Sequence, residues 1–253
     1  MEVFHDYAYY YNAFYKEKKY KEEAKQIELL LSQFGNGGNK LIDYGCGTGK
    51  HDIELSKSGK YQCEGIDMST QMISIAKQNA KSENCKIEFS VADIRQYVPV
   101  KKYDAVISLF HVMSYQVSNM DVLNAFTSAR NALDPGGIFL FDVWYGPGVL
   151  SDKPVVRVKE VEDEKYRLVR IAKPLMNDKY NTVDVCYEVL VINKESNITE
   201  VINEKHVMRY FFRPELELLL KKTGFKLINN LDCQNLKETD FNSWTSYFIA
   251  QAI

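Results

Sequence analysis

Leu41-Ile42-Asp43-Tyr44-Gly45-Cys46-Gly47-Thr48-Gly49-Lys50-His51 runs from an apolar, β-prone segment through a glycine loop into the start of a helical stretch. A strand that gives way to glycines and then to a helix marks the place where wound α/β sheets bind ligands, at the carboxyl ends of their strands. Glycine there lets the backbone turn tightly and approach a ligand without interference from a Cβ. The spacing is G-x-G-x-G. The dinucleotide fingerprint places its third glycine one residue later, and the phosphate loop G-x-x-x-x-G-K-[ST] does not occur. Asp43, set just before the glycines, repels a phosphate and suits a cationic ligand.

Outward from this stretch the pattern alternates. Short β-rich runs fall at 40–44, 61–66, 86–91, 103–108 and 137–143, with helical stretches at 50–58, 69–82 and 119–133 between them. Strands alternating with helices predict a parallel sheet wound by right-handed crossovers. Ser69 reads as a helix N-cap, and Asp134-Pro135-Gly136-Gly137 as a helix-to-strand turn. Before the sheet, Ala24, Ile27, Leu30, Leu31 and Phe34 recur at helical spacing over 15–34, ahead of a glycine-rich break at 35–39. After Pro147 the texture changes. Residues 154–210 read as β-segments separated by polar turns, which predicts an antiparallel meander inserted into the frame. The frame resumes with a helix opened by Arg213-Pro214-Glu215 and ended near Gly224, then two β-runs at 225–231 and 244–250. The expected organisation is an α/β frame from 1–149 and 211–253 with an antiparallel insert over 150–210.

Composition bounds the function. The chain has 253 residues, with Lys+Arg 32 against Asp+Glu 34 and a net charge of −2, so overall charge advertises no nucleic-acid surface. No apolar run is long enough for a membrane helix, and MEVFHDYAYYYNAFY lacks the basic and apolar regions of a signal peptide. The five cysteines form no C-x-x-C pair. His5, His51, His111 and His206 stand without partners at ligand spacing. The expectation is therefore no metal, no membrane, and a reducing cytoplasm. Tyrosine is abundant, 17 residues, six of them before position 21.

Two further acids end predicted strands. Asp67, in Gly65-Ile66-Asp67-Met68-Ser69, lies 20 residues beyond Gly47 and suits ribose hydroxyls. Asp93, in Val91-Ala92-Asp93-Ile94-Arg95, can accept from an adenine amino group while Ile94 packs the ring. Three acids behind one glycine loop describe a pocket for an adenosine that carries positive charge rather than phosphate. With these motifs, and with YDAVISLFHVMSY and LDPGGIFLFDVW, residues 38–145 resemble the class I S-adenosylmethionine-dependent methyltransferases. The resemblance implies a Rossmann-like sheet with S-adenosyl-L-methionine as cofactor and S-adenosyl-L-homocysteine as product. Carried over onto matched positions, Asp43, Gly45 and Gly47 would meet the methionine portion, Asp67 the ribose, Asp93 and Ile94 the adenine, and Leu109 the sulfonium neighbourhood, with Gly49 and Met68 also at the cofactor.

Methyl transfer needs little from the protein beyond alignment and the removal of a proton from the acceptor. Without metal ligands in the sequence, an amine acceptor fits better than a catechol-type hydroxyl. A second, looser resemblance spans nearly the whole chain: YYYNAFYKEKKYKEEA, FHVMSY, DVWYGPGVL and HVMRYFFRPELELLLKKTGF are similar to N-methyltransferases of nucleotide-linked amino-deoxysugars. It implies an N-terminal helical lid, Tyr15 at the amino sugar, Tyr20 beside the cofactor, and a homodimer. Tyr15 and His111 are then candidates to orient the acceptor or to take its proton, while Tyr115, Trp144, Tyr145, Arg170, His206 and Arg209 are candidates for holding the acceptor. In Tyr166-Arg167-Leu168-Val169-Arg170, the two arginines point to opposite faces of a strand. Alternatives are a methyltransferase for another small amine or hydroxyl, and a non-catalytic NAD- or nucleotide-binding module, against which the glycine spacing and Asp43 argue.

Overall fold

The computed structural model describes residues 8–253; His5 and Tyr7 lie outside them. Strand β1 (Lys40–Tyr44) is buried in all but its first residue, as a central parallel strand must be, and carries one acid, Asp43, among apolar neighbours. Around it the chain alternates through α3 (Lys50–Lys57), β2 (Gln62–Asp67), α4 (Thr70–Ser82), β3 (Glu88–Val91), β4 (Tyr103–Ser108), α5 (Asn119–Ala132) and β5 (Leu133–Tyr145). Ser69 caps α4, its hydroxyl accepting from the Met72 amide at 3.3 Å, and Ser118 caps α5 in the same way.

The strand order runs β3-β2-β1-β4-β5, all parallel. On the far side of β5 lies β11 (Thr245–Ala252), antiparallel, followed by β10 (Phe225–Asp232). Succession reverses between β1 and β4. The loops after these two strands therefore diverge and open a crevice at the carboxyl edge of the sheet. Beneath it, the fully buried rings of Phe126, Phe139, Phe141, Phe225 and Phe248 pack with centroids 4.6–5.6 Å apart.

The insert forms the expected meander: β6 (Arg157–Glu162), β7 (Tyr166–Asn177), β8 (Thr182–Asn193) and β9 (Thr199–Phe211), each antiparallel to the next. It joins the frame where β4 has ended. There Trp144 and Tyr145 of β5 pair in parallel with Tyr210 and Phe211 of β9. Helix α7 (Arg213–Lys222) follows at once, with Pro214 in its first turn and the Phe212 amide donating to Glu215 Oε1 at 2.9 Å.

Three local features depart from the sequence pattern. The helix expected over 15–34 starts only at Tyr20 (α2, Tyr20–Phe34), and a separate helix, α1 (Ala8–Phe14), precedes it, because residues between them turn inward. The Tyr15 ring stands edge-on to Phe110 at 5.1 Å, and the Lys18 ammonium lies 4.3 Å from the Phe110 ring centre. The Asp134–Gly137 turn is a bulge within β5, where pairing with β4 skips from Leu133 to Ile138 and Gly136 takes φ +85°. Gly146-Pro147-Gly148 opens a short helix, α6 (Gly146–Ser151). It packs so closely that a Cβ on Gly148 would lie 2.1 Å from the Ser243 carbonyl oxygen. Among the described residues, no helix is long and apolar enough to cross a membrane.

The aromatic cluster carries the frame. Phe141→Ala is expected to cost about 3–5 kcal/mol, from lost burial and the cavity left behind. Val100→Ala, at a side chain 93% exposed, should stay within about 0.5 kcal/mol. Urea unfolding midpoints of the two variants measure the difference.

Candidate functional site

The crevice opens into a cavity of about 1060 Å³ that runs from the glycine loop to the inner face of the meander. The loop backbone is held by φ values of +81° at Gly45, +53° at Gly47 and +71° at Gly49, a region that favours glycine. Its amides are already committed. Gly45 and Cys46 donate to the Ile66 carbonyl at 2.7 and 3.0 Å, and Gly47 donates to Asp67 Oδ2 at 2.9 Å. A phosphate loop presents these amides to its ligand. Here they are turned into the protein, and a Cβ on Gly47 would meet nothing within 4 Å.

Asp67 ends β2 at the cavity wall. It takes the Gly47 amide on one oxygen and the Ser69 amide, at 2.8 Å, on the other. Burial pushes its carboxyl above the usual range, and the two amide bonds act against that rise. Asp93 lines the wall after β3. Burial raises its carboxyl, but the hydrogen bonds and charge of Arg95, with Nη2 2.6 Å from Oδ2, outweigh this and hold it low. Met68, Ile94 and Leu109 add apolar wall beside these acids. Carboxylates and apolar groups around spent amides match an adenosyl group with a cationic tail.

Asp43 lies under the loop rather than in the cavity wall. It is 2% exposed, its Oδ1 has no hydrogen-bond partner, and Asp52 on α3, also fully buried, faces it. Burial and mutual repulsion drive Asp43 far above the carboxylate range, and burial raises Asp52 as well. Gly49 also stands back from the cavity: it caps α3, and a Cβ there would lie 2.7 Å from the Phe89 ring.

The opposite wall comes from the loop after β4. Phe110 and His111 both take left-handed backbone, φ +64° and +69°, a strained choice for non-glycine residues. Asp142 of β5, 4% exposed, holds them there by accepting the His111 amide at 2.9 Å. Its second oxygen lies 2.8 Å from His111 Nδ1, off the line a hydrogen bond requires. The Trp144 ring stands 6.4 Å from the His111 ring and also faces the cavity.

The meander closes the far end. Arg170 Nη1 donates to the Tyr15 hydroxyl at 3.0 Å, and its guanidinium packs 5.3 Å from the Phe14 and Tyr187 ring centres. Arg167 points to the other face and pairs with Glu160. Tyr115 and His206 line the cavity, 2.8 Å apart. Two expected acceptor residues do not reach it. Arg209 is buried against Glu215 at 2.8 Å and the Val117 carbonyl, and Tyr145 packs into the frame core.

The N-terminal helices roof the cavity. Asn12 of α1 accepts from Thr48 Oγ1 of the glycine loop at 3.0 Å. Tyr20 stands edge-on to His51, whose Nε2 lies 2.7 Å from Glu23 Oε2; Lys18 pairs with the same carboxylate. Burial pushes Glu23 up, but the hydrogen bond and charge of His51, with Lys18, bring it down to about 2. Sequence reading passed over Glu23, Asp52 and Asp142. Only Asp142 carried a signal, as an acid inside the apolar run Phe139-Leu140-Phe141-Asp142-Val143-Trp144.

Residues 41–137 match the family of methyltransferase domains. The chain is 27% identical over 227 residues to the putative methyltransferase YqeM of Bacillus subtilis, covering 89% of this chain and 87% of that one. It is 23% identical to the dTDP-3-amino-3,4,6-trideoxy-alpha-D-glucopyranose N,N-dimethyltransferase of Streptomyces venezuelae, over 88% of this chain and 91% of the relative. Its fold superposes on the sugar N-methyltransferase KedS8 from Streptoalloteichus with a TM-score of 0.81 and 19% identity, covering 96% and 92% of the two chains.

The buried acid pair makes stability depend on pH. The folded chain keeps a proton between Asp43 and Asp52 that the unfolded chain releases above about pH 4, so stability falls as pH rises from there. Asp52→Asn, which supplies a permanent donor, is expected to be more stable than the parent at about pH 8, with the gap closing toward about pH 4. Urea unfolding at the two pH values checks the sign.

Proposed function

We propose that this chain, which belongs to the class I S-adenosylmethionine-dependent methyltransferases, methylates the amino group of a nucleotide-linked amino-deoxysugar. The observation that carries the reading is the single cavity leading from the glycine loop to a meander wall bearing cations and aromatic rings. Residues 1–149 and 211–253 then form the cofactor half, and 150–210 the acceptor wall. Asp67 with Met68 takes the ribose, Asp93 with Ile94 the adenine, and the surface over Gly45, Gly47 and Leu109 the methionine end. Asp43 acts from beneath, through the loop. When bound, S-adenosyl-L-methionine supplies an already activated methyl group.

The protein's share is to bind, orient and deprotonate. Tyr15, fixed by Arg170, and His111, fixed by Asp142, face the cavity from the meander side and the β4 side. An amine between them is oriented by the Tyr15 hydroxyl and loses its ammonium proton to the His111 imidazole, which exposes its lone pair. Trp144 offers a flat face to a sugar or base. Arg157 and Arg170, both at the wall, suit a diphosphate, while Lys205 is paired with Asp184 at 2.6 Å. Arg209, spent on Glu215, does not enter this reading, and Tyr145 serves by packing. The relative that acts on a dTDP-amino sugar aligns along the meander as well as the cofactor half, which supports the acceptor class. A cytoplasmic homodimer belongs to the same reading.

The test is incubation with S-adenosyl-L-methionine and dTDP-3-amino-3,4,6-trideoxy-α-D-glucopyranose, followed by mass spectrometry. A gain of one or two CH₂ units is expected; an unchanged sugar nucleotide sinks the acceptor assignment. Asp67→Ala should weaken S-adenosyl-L-homocysteine binding by about tenfold or more, measured by calorimetry. Tyr15→Phe should lower kcat by more than it changes that affinity.

A further inference from the structure

A chain of hydrogen bonds behind the acceptor wall has no part in the chemistry above. Tyr115 ends the 3₁₀ turn Val112–Tyr115 that follows β4, and its hydroxyl lies 2.8 Å from His206 Nδ1. His206, on β9 and only 2% exposed, has its Nε2 3.0 Å from Glu204 Oε2. Glu204 and His206 are two residues apart on a strand, so both point to the same face. That face also carries Ile202 and Met208, both buried. A carboxylate among them is costly unless it is paired, and the imidazole pairs it. The Tyr187 ring of β8 stands edge-on to His206 at 4.8 Å and fixes its plane.

This order sets the protons. When Glu204 accepts from Nε2 of His206, Nδ1 is left to accept from the Tyr115 hydroxyl. With its own hydrogen directed at His206, the Tyr115 oxygen meets whatever occupies the cavity as an acceptor. His111 is less well prepared, since its Nδ1 lies off the line to Asp142.

We propose that Tyr115 is a second proton acceptor of this site, with His206 and Glu204 acting through it as positioning residues. The inference rests on the reading that an amine is methylated in this cavity. In the step, the ammonium N–H bond breaks and its proton bonds to the Tyr115 oxygen. The original hydroxyl proton moves to His206 Nδ1. The amine is left neutral, the phenol is restored, and the imidazolium is balanced by Glu204. Among the described residues, the groups facing His206 include Tyr115 from the turn, Tyr187 from β8 and Glu204 from β9, with Arg170 of β7 beyond Tyr187.

The experiment uses the whole enzyme with dTDP-3-amino-3,4,6-trideoxy-α-D-glucopyranose as probe. Glu204→Gln is expected to lower kcat by about tenfold to a hundredfold and leave S-adenosyl-L-homocysteine affinity unchanged. It should also move the acid limb of the kcat profile to lower pH, because the imidazolium loses its counter-charge. Tyr115→Phe should lower kcat as well, and the double variant should be no slower than Tyr115→Phe alone, since both act through one oxygen. A Glu204→Gln profile matching the wild type, or losses that multiply in the double variant, overturns the assignment. If the wild type leaves the probe unmethylated, the amino-sugar reading falls instead, and proton NMR then decides. A hydrogen-bonded His206 Nε2 proton present in the wild type and displaced in Glu204→Gln supports the chain, and its absence from the wild type overturns it.

Discussion

The bond between the Gly47 amide and the Asp67 carboxylate, with the Gly45 and Cys46 amides on the Ile66 carbonyl, decides what the crevice can bind. It fastens the loop after β1 to the end of β2 and uses up donors that would otherwise hold a phosphate. It also fixes a carboxylate at the wall in one orientation, ready for hydroxyl groups. Glycine is needed because left-handed backbone is what brings these amides round to β2. In the proposed reading, selectivity for a nucleoside with a cationic rather than a phosphorylated tail thus begins in backbone geometry.

Charge follows from the same arrangement. Asp43, Asp52, Asp67 and Asp142 gather beneath and beside the loop, and burial raises the first three. The compensating cations stand elsewhere, with Arg95 on Asp93 and Arg170 at the meander. Asp67 and Asp93, the latter paired with Arg95, line one end of the cavity, and Arg157 and Arg170 line the other. In the proposed reading, the cationic cofactor lies at the acid-bearing wall and the nucleotide-linked acceptor toward the meander.

The parts of this fold legible in the sequence were those governed by local periodicity and turn chemistry. The run 40–44, the capping serine before α4, the four meander strands and the prolyl start of α7 all appear at or close to their expected places. What stayed hidden depends on contacts across the chain. The break between α1 and α2 arises because Lys18 and Tyr15 find Phe110, almost a hundred residues away. Helix α6 survives two glycines and a proline because Ser243 packs against it. In the site, acids at strand ends could be found by position, whereas Glu23, Glu204 and Asp142 matter only through the histidines they support. Arg209 misled because nothing local distinguishes a cation aimed at a cavity from one held by Glu215.

The strand pairing between frame and meander consists of two residue pairs, Trp144 with Tyr210 and Tyr145 with Phe211. Asp142, which sets His111, lies one turn of the pleat before that pairing on the same strand. In the proposed reading, a different meander grafted at this junction would exchange the acceptor wall while leaving the nucleoside half and the Asp142–His111 contact in the frame.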